Sequence, residues 1–251
     1  MKINVIGNEE LPKIVCIHPL LGNSGSVLDI LKDLKGNYCI IAPDMSAHGA
    51  DTTDLISAKE EAETLVKFLI DKGVTSIALA VGFSMGSLVM LNMLTENSLK
   101  FGRVILEGAP LYQYGAVTRK LVTFGYKCAR KNAAAKPEEF IKNAEDSFGR
   151  EFAERYGETT RKKFTEMSDT SIENAALTCS YFDFPPFSEE LQSKIVFRYG
   201  SLEYNRKSGK KNIAKHYPKA EIVIADGFRH CEYPFKNHEA YAEMLEKFIV
   251  K

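Results

Sequence analysis

Gly82-Phe83-Ser84-Met85-Gly86 is preceded by the apolar run Ile77-Ala78-Leu79-Ala80-Val81 and followed by Ser87-Leu88-Val89-Met90-Leu91. In a Gly-x-Ser-x-Gly sequence a strand turns so sharply into a helix that the serine is held in a strained backbone conformation, with its hydroxyl exposed at the sheet edge. Gly82 and Gly86 leave room for neighbouring backbone. The helix opening at Ser84 aims its free N–H groups and positive dipole end at the same place. The stretch reads as a nucleophile elbow, and a hydrolase is expected if partners for Ser84 occur elsewhere.

Working outward from the elbow, Ser76 to Val81 is the continuous apolar run of a strand buried on both faces, and Arg103 to Leu106, Lys194 to Tyr199 and Ala220 to Ala225 repeat it. Upstream, Lys2 to Gly7, Lys13 to His18 and Tyr38 to Pro43 read as strands. Helical spacing marks Ser26 to Leu34, Ala58 to Lys72 (stopped by Gly73) and Ala240 to Val250. Such alternation predicts an α/β protein with a mostly parallel, doubly wound sheet. Between Pro110 and about Phe187 no strand is expected, whereas Ala116 to Asn132, Pro137 to Phe148 and Glu151 to Met167 read as helices. This predicts an inserted helical cap, 110–187, above the carboxyl ends of the strands of a core formed by 1–109 and 188–251. The cap is rich in Tyr and Phe, most of them expected to form its own small core and a few to line a substrate pocket.

At 251 residues the chain can bury a sizeable core. Its 33 Lys and Arg balance 33 Asp and Glu, so no net field favours nucleic acid or an acidic membrane, and neither is expected as a partner, a local basic patch aside. Met1 to Val5 runs into a strand without the apolar core of a signal peptide, and no membrane-length apolar segment follows, which predicts a cytoplasmic location. Cys16, Cys39, Cys128, Cys179 and Cys231 are scattered, with no zinc-ribbon or redox spacing, and are expected to be mainly buried small hydrophobes. No metal or cofactor is expected.

A serine hydroxyl needs a positioned base, itself oriented by a third group, and in this fold the chain order is serine, acid, histidine. His18 and His48 precede Ser84, His216 ends a predicted helix where the dipole accounts for it, and His238 is expected to be exposed at the start of the last helix. His230 follows the strand Ala220 to Ala225 and the loop Asp226 to Arg229, so it belongs beside Ser84 and is the candidate base. Glu203, in the loop Gly200 to Glu203 after the strand Lys194 to Tyr199, is the candidate acid; Glu107, also at a strand end, is its rival, ahead of Asp183 and Asp226. The oxyanion donors are expected to be the N–H of Met85 and that of Leu20 in His18-Pro19-Leu20-Leu21-Gly22-Asn23, since Pro19 has no N–H. Removing one such donor typically costs about 2.7 to 4 kcal/mol of transition-state stabilisation.

The His18 to Gly22 loop, the Gly82 to Gly86 elbow, the Gly200 to Glu203 loop and Gly227-Phe228-Arg229-His230 together resemble the α/β-hydrolase superfamily over nearly the whole chain. The resemblance implies Ser84 as nucleophile, Glu203 as acid, His230 as base, and Leu20 and Met85 as backbone donors. The chain departs from it at Pro19, where many members have Gly, and at Glu203, where Asp is commoner. Asp44 and His48 match a further family segment, in which a structural loop is expected. The leading expectation is a carboxylesterase-like serine hydrolase acting on a small-molecule ester or thioester through an acyl-enzyme. A C–C bond hydrolase, a synthase or a cofactor-free haloperoxidase could use the same triad, and a non-catalytic receptor is the alternative of another class. For a thioesterase, Arg206, Lys207, Lys210 and Lys211 would be the phosphate-binding candidates.

Overall fold

The computed structural model describes residues 1–249. Seven strands form one sheet in the order β1-β3-β2-β4-β5-β6-β7. They are β1 (Lys2–Ile6), β2 (Lys13–Ile17), β3 (Cys39–Asp44), β4 (Ser76–Phe83), β5 (Lys100–Glu107), β6 (Ile195–Gly200) and β7 (Glu221–Ala225). Only β1 runs antiparallel, pairing Lys2 with Asp44 and Ile6 with Ile40, while β2 through β7 are parallel to their neighbours. Successive side chains leave a strand on opposite faces. Ile14 and Cys16 of β2 and Leu79, Val81 and Phe83 of β4 therefore pack on one side with α1 (Ser24–Leu31) and α12 (His238–Ile249). Val15, Ile17 and Ala80 pack on the other with α2 (Ala58–Asp71) and α3 (Met85–Met93). Both faces are covered, as a parallel sheet requires.

Strand order reverses between β2 and β4, with α1 leaving on one face and α3 on the other. The crevice outside their carboxyl ends is where an open α/β sheet binds ligands. Ser84 and the loop after β2 border it. α2 starts at an N-cap, Ser57, whose side chain accepts the Glu60 N–H, and Gly73 follows it at φ 72°. α3 is apolar nearly all round and buries every residue except Asn92, which seats the elbow in the core.

Between β5 and β6 the chain is helical: α4 (Ala116–Ala135), α5 (Pro137–Phe148), α6 (Arg150–Phe152), a π-helical turn at Ala153–Gly157, α7 (Glu158–Glu166), α8 (Asp169–Thr178) and α9 (Glu189–Ser193). The helix expected over Glu151 to Met167 is thus divided by a π turn whose buried Ala153 and Gly157 pack against α5. α8 and α9, each opened by a serine cap, Ser168 and Ser188, are additional to the sequence reading. The insertion is tied to the core by polar contacts: Ser171 Oγ accepts the Leu55 N–H at 3.1 Å, Asn174 donates to Leu55 O at 2.9 Å, and Tyr156 donates to Asp29 at 2.5 Å. α10 (Arg206–His216) and α11 (Glu232–Lys236) complete the fold. Val250, the expected end of the last helix, lies outside the described residues. Among those described, no helix is long and apolar enough to cross a membrane.

Candidate active site

Ser84 sits between β4 and α3 with φ 48° and ψ −115°, a left-handed conformation that costs a non-glycine residue of order 1 to 3 kcal/mol. Its N–H donates to Glu107 O at 2.8 Å, and Ser87 Oγ donates to Gly82 O at 2.7 Å, so the turn is fastened on both sides. α3 begins at Met85, with Ser84 as its cap. A Cβ at Gly86 would lie 2.5 Å from Ile17 O, so only glycine lets the helix pass the end of β2.

His230 and Glu203 arrive from the two neighbouring strand ends. Ser201 N donates to Ala225 O at 2.8 Å and Leu202 N to Phe228 O at 3.0 Å, which zips the loop after β6 to the loop after β7. Glu203, almost fully buried, folds its longer side chain back so that Oε1 accepts the Gly200 N–H at 3.0 Å while Oε2 lies 3.3 Å from His230 Nδ1. His230 Nε2 lies 2.8 Å from Ser84 Oγ. An imidazole that donates from Nδ1 to Glu203 presents the Nε2 lone pair to the serine hydroxyl. Burial works against a charge on His230. The Cys231 thiol and the Glu203 carboxylate outweigh it and hold the pKa well above the usual 6.5. Burial keeps the Cys231 thiol itself above its ordinary value, with His230 pulling the other way.

Glu107 is engaged elsewhere. It faces Arg198 across the β5–β6 ladder and takes its Nε at 2.6 Å in a buried ion pair, with the guanidinium also 5.4 Å from the Tyr233 ring centroid. Asp183 and Asp226 are exposed. The other histidines are accounted for locally. His18, fully buried, donates from Nδ1 to Pro19 O at 2.7 Å and accepts the Met45 N–H at 3.0 Å, and burial lowers its pKa to about 4. His48 bonds Ser46 O, and burial brings it to about 3. His216 ends α10 and stacks on Phe184 with ring centroids 4.2 Å apart. His238, expected to be exposed, is half-buried with Nδ1 2.5 Å from Asp33, because α12 packs against α1. Asp44 accepts the Ser24 and Ala50 N–H groups, an arrangement that holds a loop.

A cavity of about 330 Å³ opens over Ser84 and His230, walled by Leu20, Tyr112, Tyr204 and, from the insertion, Val122, Tyr126, Phe148 and Cys179. A second, also about 330 Å³, shares Leu20 and Tyr126 with it and continues along α4 to Ala133, Phe140 and Phe164. Leu20 lies at the junction. Its loop is closed by the Gly22 N–H donating to Pro19 O at 2.9 Å. Met85, at the first position of α3, has no residue of its own helix four positions back to receive its N–H. Burial pushes the Cys179 thiol up to about 11, so this cavity-lining sulfur is held as a neutral thiol. Among the described residues no group of three or more His, Cys, Asp or Glu side chains converges as metal ligands do.

Sequence reasoning missed two supporting residues. Gly108, at φ 61°, lies where a Cβ would come within 2.7 Å of the His230 ring. Glu232 accepts the Arg229 N–H at 2.7 Å, capping the loop that carries His230, and is held by Lys236 at 2.5 Å. A Glu-Gly step at a strand end and a Glu three residues after Arg229 were the available signals.

Residues 12–172, more than half of the chain, match the model of the family described as the alpha/beta hydrolase fold. The chain belongs to this α/β-hydrolase family. The match takes in the elbow and the loop after β2 but ends before Glu203 and His230. Solved structures show likeness of fold over the remainder as well. An alpha/beta hydrolase family protein from Desulfitobacterium hafniense is similar at TM-score 0.73 and 18% identity, over 99% of this chain and 100% of that one. MenH from S. aureus is similar at 0.72 and 16%, over 99% and 98%. The esterase EaEST from Exiguobacterium antarcticum is similar at 0.74 and 15%, over 99% and 95%. At such identities the likeness is one of fold. No curated protein matches the sequence.

Proposed function

We propose that this member of the family is a carboxylesterase-like serine hydrolase that cleaves small-molecule carboxylic esters or thioesters through an acyl-enzyme on Ser84. The observation that carries the reading is the 2.8 Å approach of His230 Nε2 to Ser84 Oγ, with Glu203 on the far ring nitrogen, at the floor of a mainly apolar cavity. His230 takes the serine proton as the hydroxyl attacks the carbonyl and gives it to the leaving alcohol or thiol; it then deprotonates the water that frees the acyl group. Glu203 holds the ring in the required tautomer and stabilises the imidazolium. The N–H groups of Leu20 and Met85 receive the developing oxyanion. In this reading 110–187 acts as a cap over a core of 1–109 and 188–251. The cap supplies Tyr126 and Phe148, which exclude water and contact the acyl group.

Among the described residues, the cavity over Ser84 is lined by no Lys, Arg, Asp or Glu. This favours a neutral ester over a polyanionic substrate that would need a buried counter-charge. Several of the similar structures bear esterase names, in keeping with this reading.

The test is labelling by a fluorophosphonate together with hydrolysis of p-nitrophenyl acetate. The wild type is expected to label and turn over, and Ser84→Ala to lose both, with turnover down by roughly 10⁴-fold or more and an unchanged circular dichroism spectrum. Labelling that persists in Ser84→Ala would overturn the assignment, and a wild type that neither labels nor turns over would point to a receptor.

A further inference from the structure

The chain as a whole is neutral, but two of its helices are not. α4 carries five cations between Arg119 and Lys131, α10 carries five between Arg206 and Lys215, and neither contains an acidic residue. On α4, Val117, Leu121 and Phe124 recur at the i, i+4 and i+7 positions of one face and are 75%, 65% and 66% exposed. Helical periodicity places Lys120, Lys127 and Lys131 along one border of that stripe. Lys127 pairs with Glu173, whereas Lys120 and Lys131 form no ion pair among the described residues. The other side of the same helix turns Val122 and Tyr126 into the Ser84 cavity. Across the cavity mouth, in the turn between β6 and α10, Leu202 is 63% and Tyr204 80% exposed, and Tyr204 walls the same cavity. Large apolar side chains bordered by unpaired lysines therefore cover the outer face of the helix whose inner face walls the site.

We propose that this face docks on an anionic lipid bilayer, with α4 lying in the headgroup region and its Val117, Leu121 and Phe124 stripe entering the acyl boundary. Aliphatic and aromatic side chains on one face with lysines at its edge is the pattern of a helix that rests in a membrane interface. Each lysine near an anionic surface adds attraction that is screened by salt. A second copy of the chain fits the face poorly, since α4 stacked on α4 would bring together the six bordering lysines, four of them without an ion-pair partner among the described residues. A purely polyanionic ligand would meet the lysines and leave the apolar stripe in water. The neutral composition, from which no membrane partner is expected, averages over this local asymmetry. Docking itself is independent of the proposed chemistry. With that chemistry, it would bring the Ser84 cavity, walled by the other side of α4, to a membrane in which apolar esters dissolve.

The test is co-sedimentation of the full-length protein with vesicles of phosphatidylcholine alone or of an equimolar mixture with phosphatidylglycerol. The expected result is about tenfold more protein on the mixed vesicles, falling as salt is raised. Leu121→Glu with Phe124→Glu, and separately Lys120→Glu with Lys131→Glu, are each expected to bring binding down to the phosphatidylcholine level. Both double variants should retain the wild-type circular dichroism spectrum and wild-type hydrolysis of soluble p-nitrophenyl acetate. Ser84→Ala is expected to bind like the wild type, which separates docking from catalysis. Three results would each overturn the proposal: equal binding to the two vesicle types; loss of binding on charge reversal with none on the Leu121 and Phe124 changes, which would mark a polyanion site; or a dimer by light scattering that Phe124→Glu dissociates.

Discussion

At the carboxyl edge of the sheet, a methyl group added at Gly86 or Gly108 would strike the end of β2 or the His230 ring, whereas in the insertion α5 buries none of its residues and α4 only Ala133. The two regions meet at one cavity but obey different constraints. Around Ser84, Glu203 and His230, backbone passes backbone at contact distance, and hydrogen bonds zip the loops after β6 and β7 together. Side chains held that way have little freedom to relax after a change, and reacting groups misplaced by about 1 Å can lose about 10²-fold in rate. Within the insertion α4 and α5 bury almost nothing, so their residues can change with small local consequences, whereas α8 sends Ile172 and Ala175 into the main core. In the proposed function chemistry thus falls to the region without slack, and selectivity to the region with it.

The largest expected effect that tests this contrast is at the carboxylates. Glu203→Gln should lower kcat by roughly 10⁴-fold with little change in stability, because an amide cannot stabilise the imidazolium and permits the wrong tautomer. Glu107→Gln should do the reverse: turnover per folded molecule is kept, while urea unfolding shows a loss of about 3 to 5 kcal/mol from leaving Arg198 charged and buried without its partner. A kcat collapse at Glu107→Gln alone would transfer the acid role to Glu107.

Next in size is a pH effect. In the proposed mechanism His230 must be neutral to accept the serine proton, and its neighbours Cys231 and Glu203 hold its pKa above the ordinary value against burial. kcat/KM should therefore rise as pH increases through that raised pKa, reaching its plateau on the alkaline side of 6.5. In the residual activity of Glu203→Gln the rising limb should move to lower pH, since the removed carboxylate is what favoured the proton. A limb that stays in place would show that Glu203 does not govern the base.

The smallest effect belongs to the insertion. Tyr126 stands where the two cavities join, so Tyr126→Ala should redistribute kcat/KM across a series of p-nitrophenyl esters of increasing acyl length by about tenfold, with acetate turnover little changed. A uniform loss across the series would place Tyr126 in the chemistry and erase the contrast between the regions.

Much of the candidate site was legible because its parts are short and local. Ser84 lies in a five-residue turn, and Leu20, Glu203 and His230 each follow an apolar strand, so knowing that the strands are parallel is enough to bring their ends to one edge. Glu107 defeated that logic, since β5 lies between β4 and β6 and delivers its last residue to the same edge. Only the Arg198 opposite it in the ladder shows where its carboxylate goes. Gly108 and Glu232 left only faint signals, because Gly108 leaves room for a ring distant in the chain and Glu232 caps a loop whose role is plain only once His230 is placed. The π turn at Ala153–Gly157 was hidden in a helical pattern that tertiary packing divides.

By itself the sequence determined the alternation of buried strands and amphipathic helices, the elbow at Ser84 and the placing of Ser84, Glu203 and His230 after successive strands, because periodicity and turn chemistry act over a few residues. The tertiary structure decided which carboxylate faces His230, how a glutamate rather than an aspartate fits by turning back onto Gly200, and which face of α4 is left to solvent. Those outcomes depend on burial and on charges brought together from opposite ends of the chain, which no short-range pattern encodes.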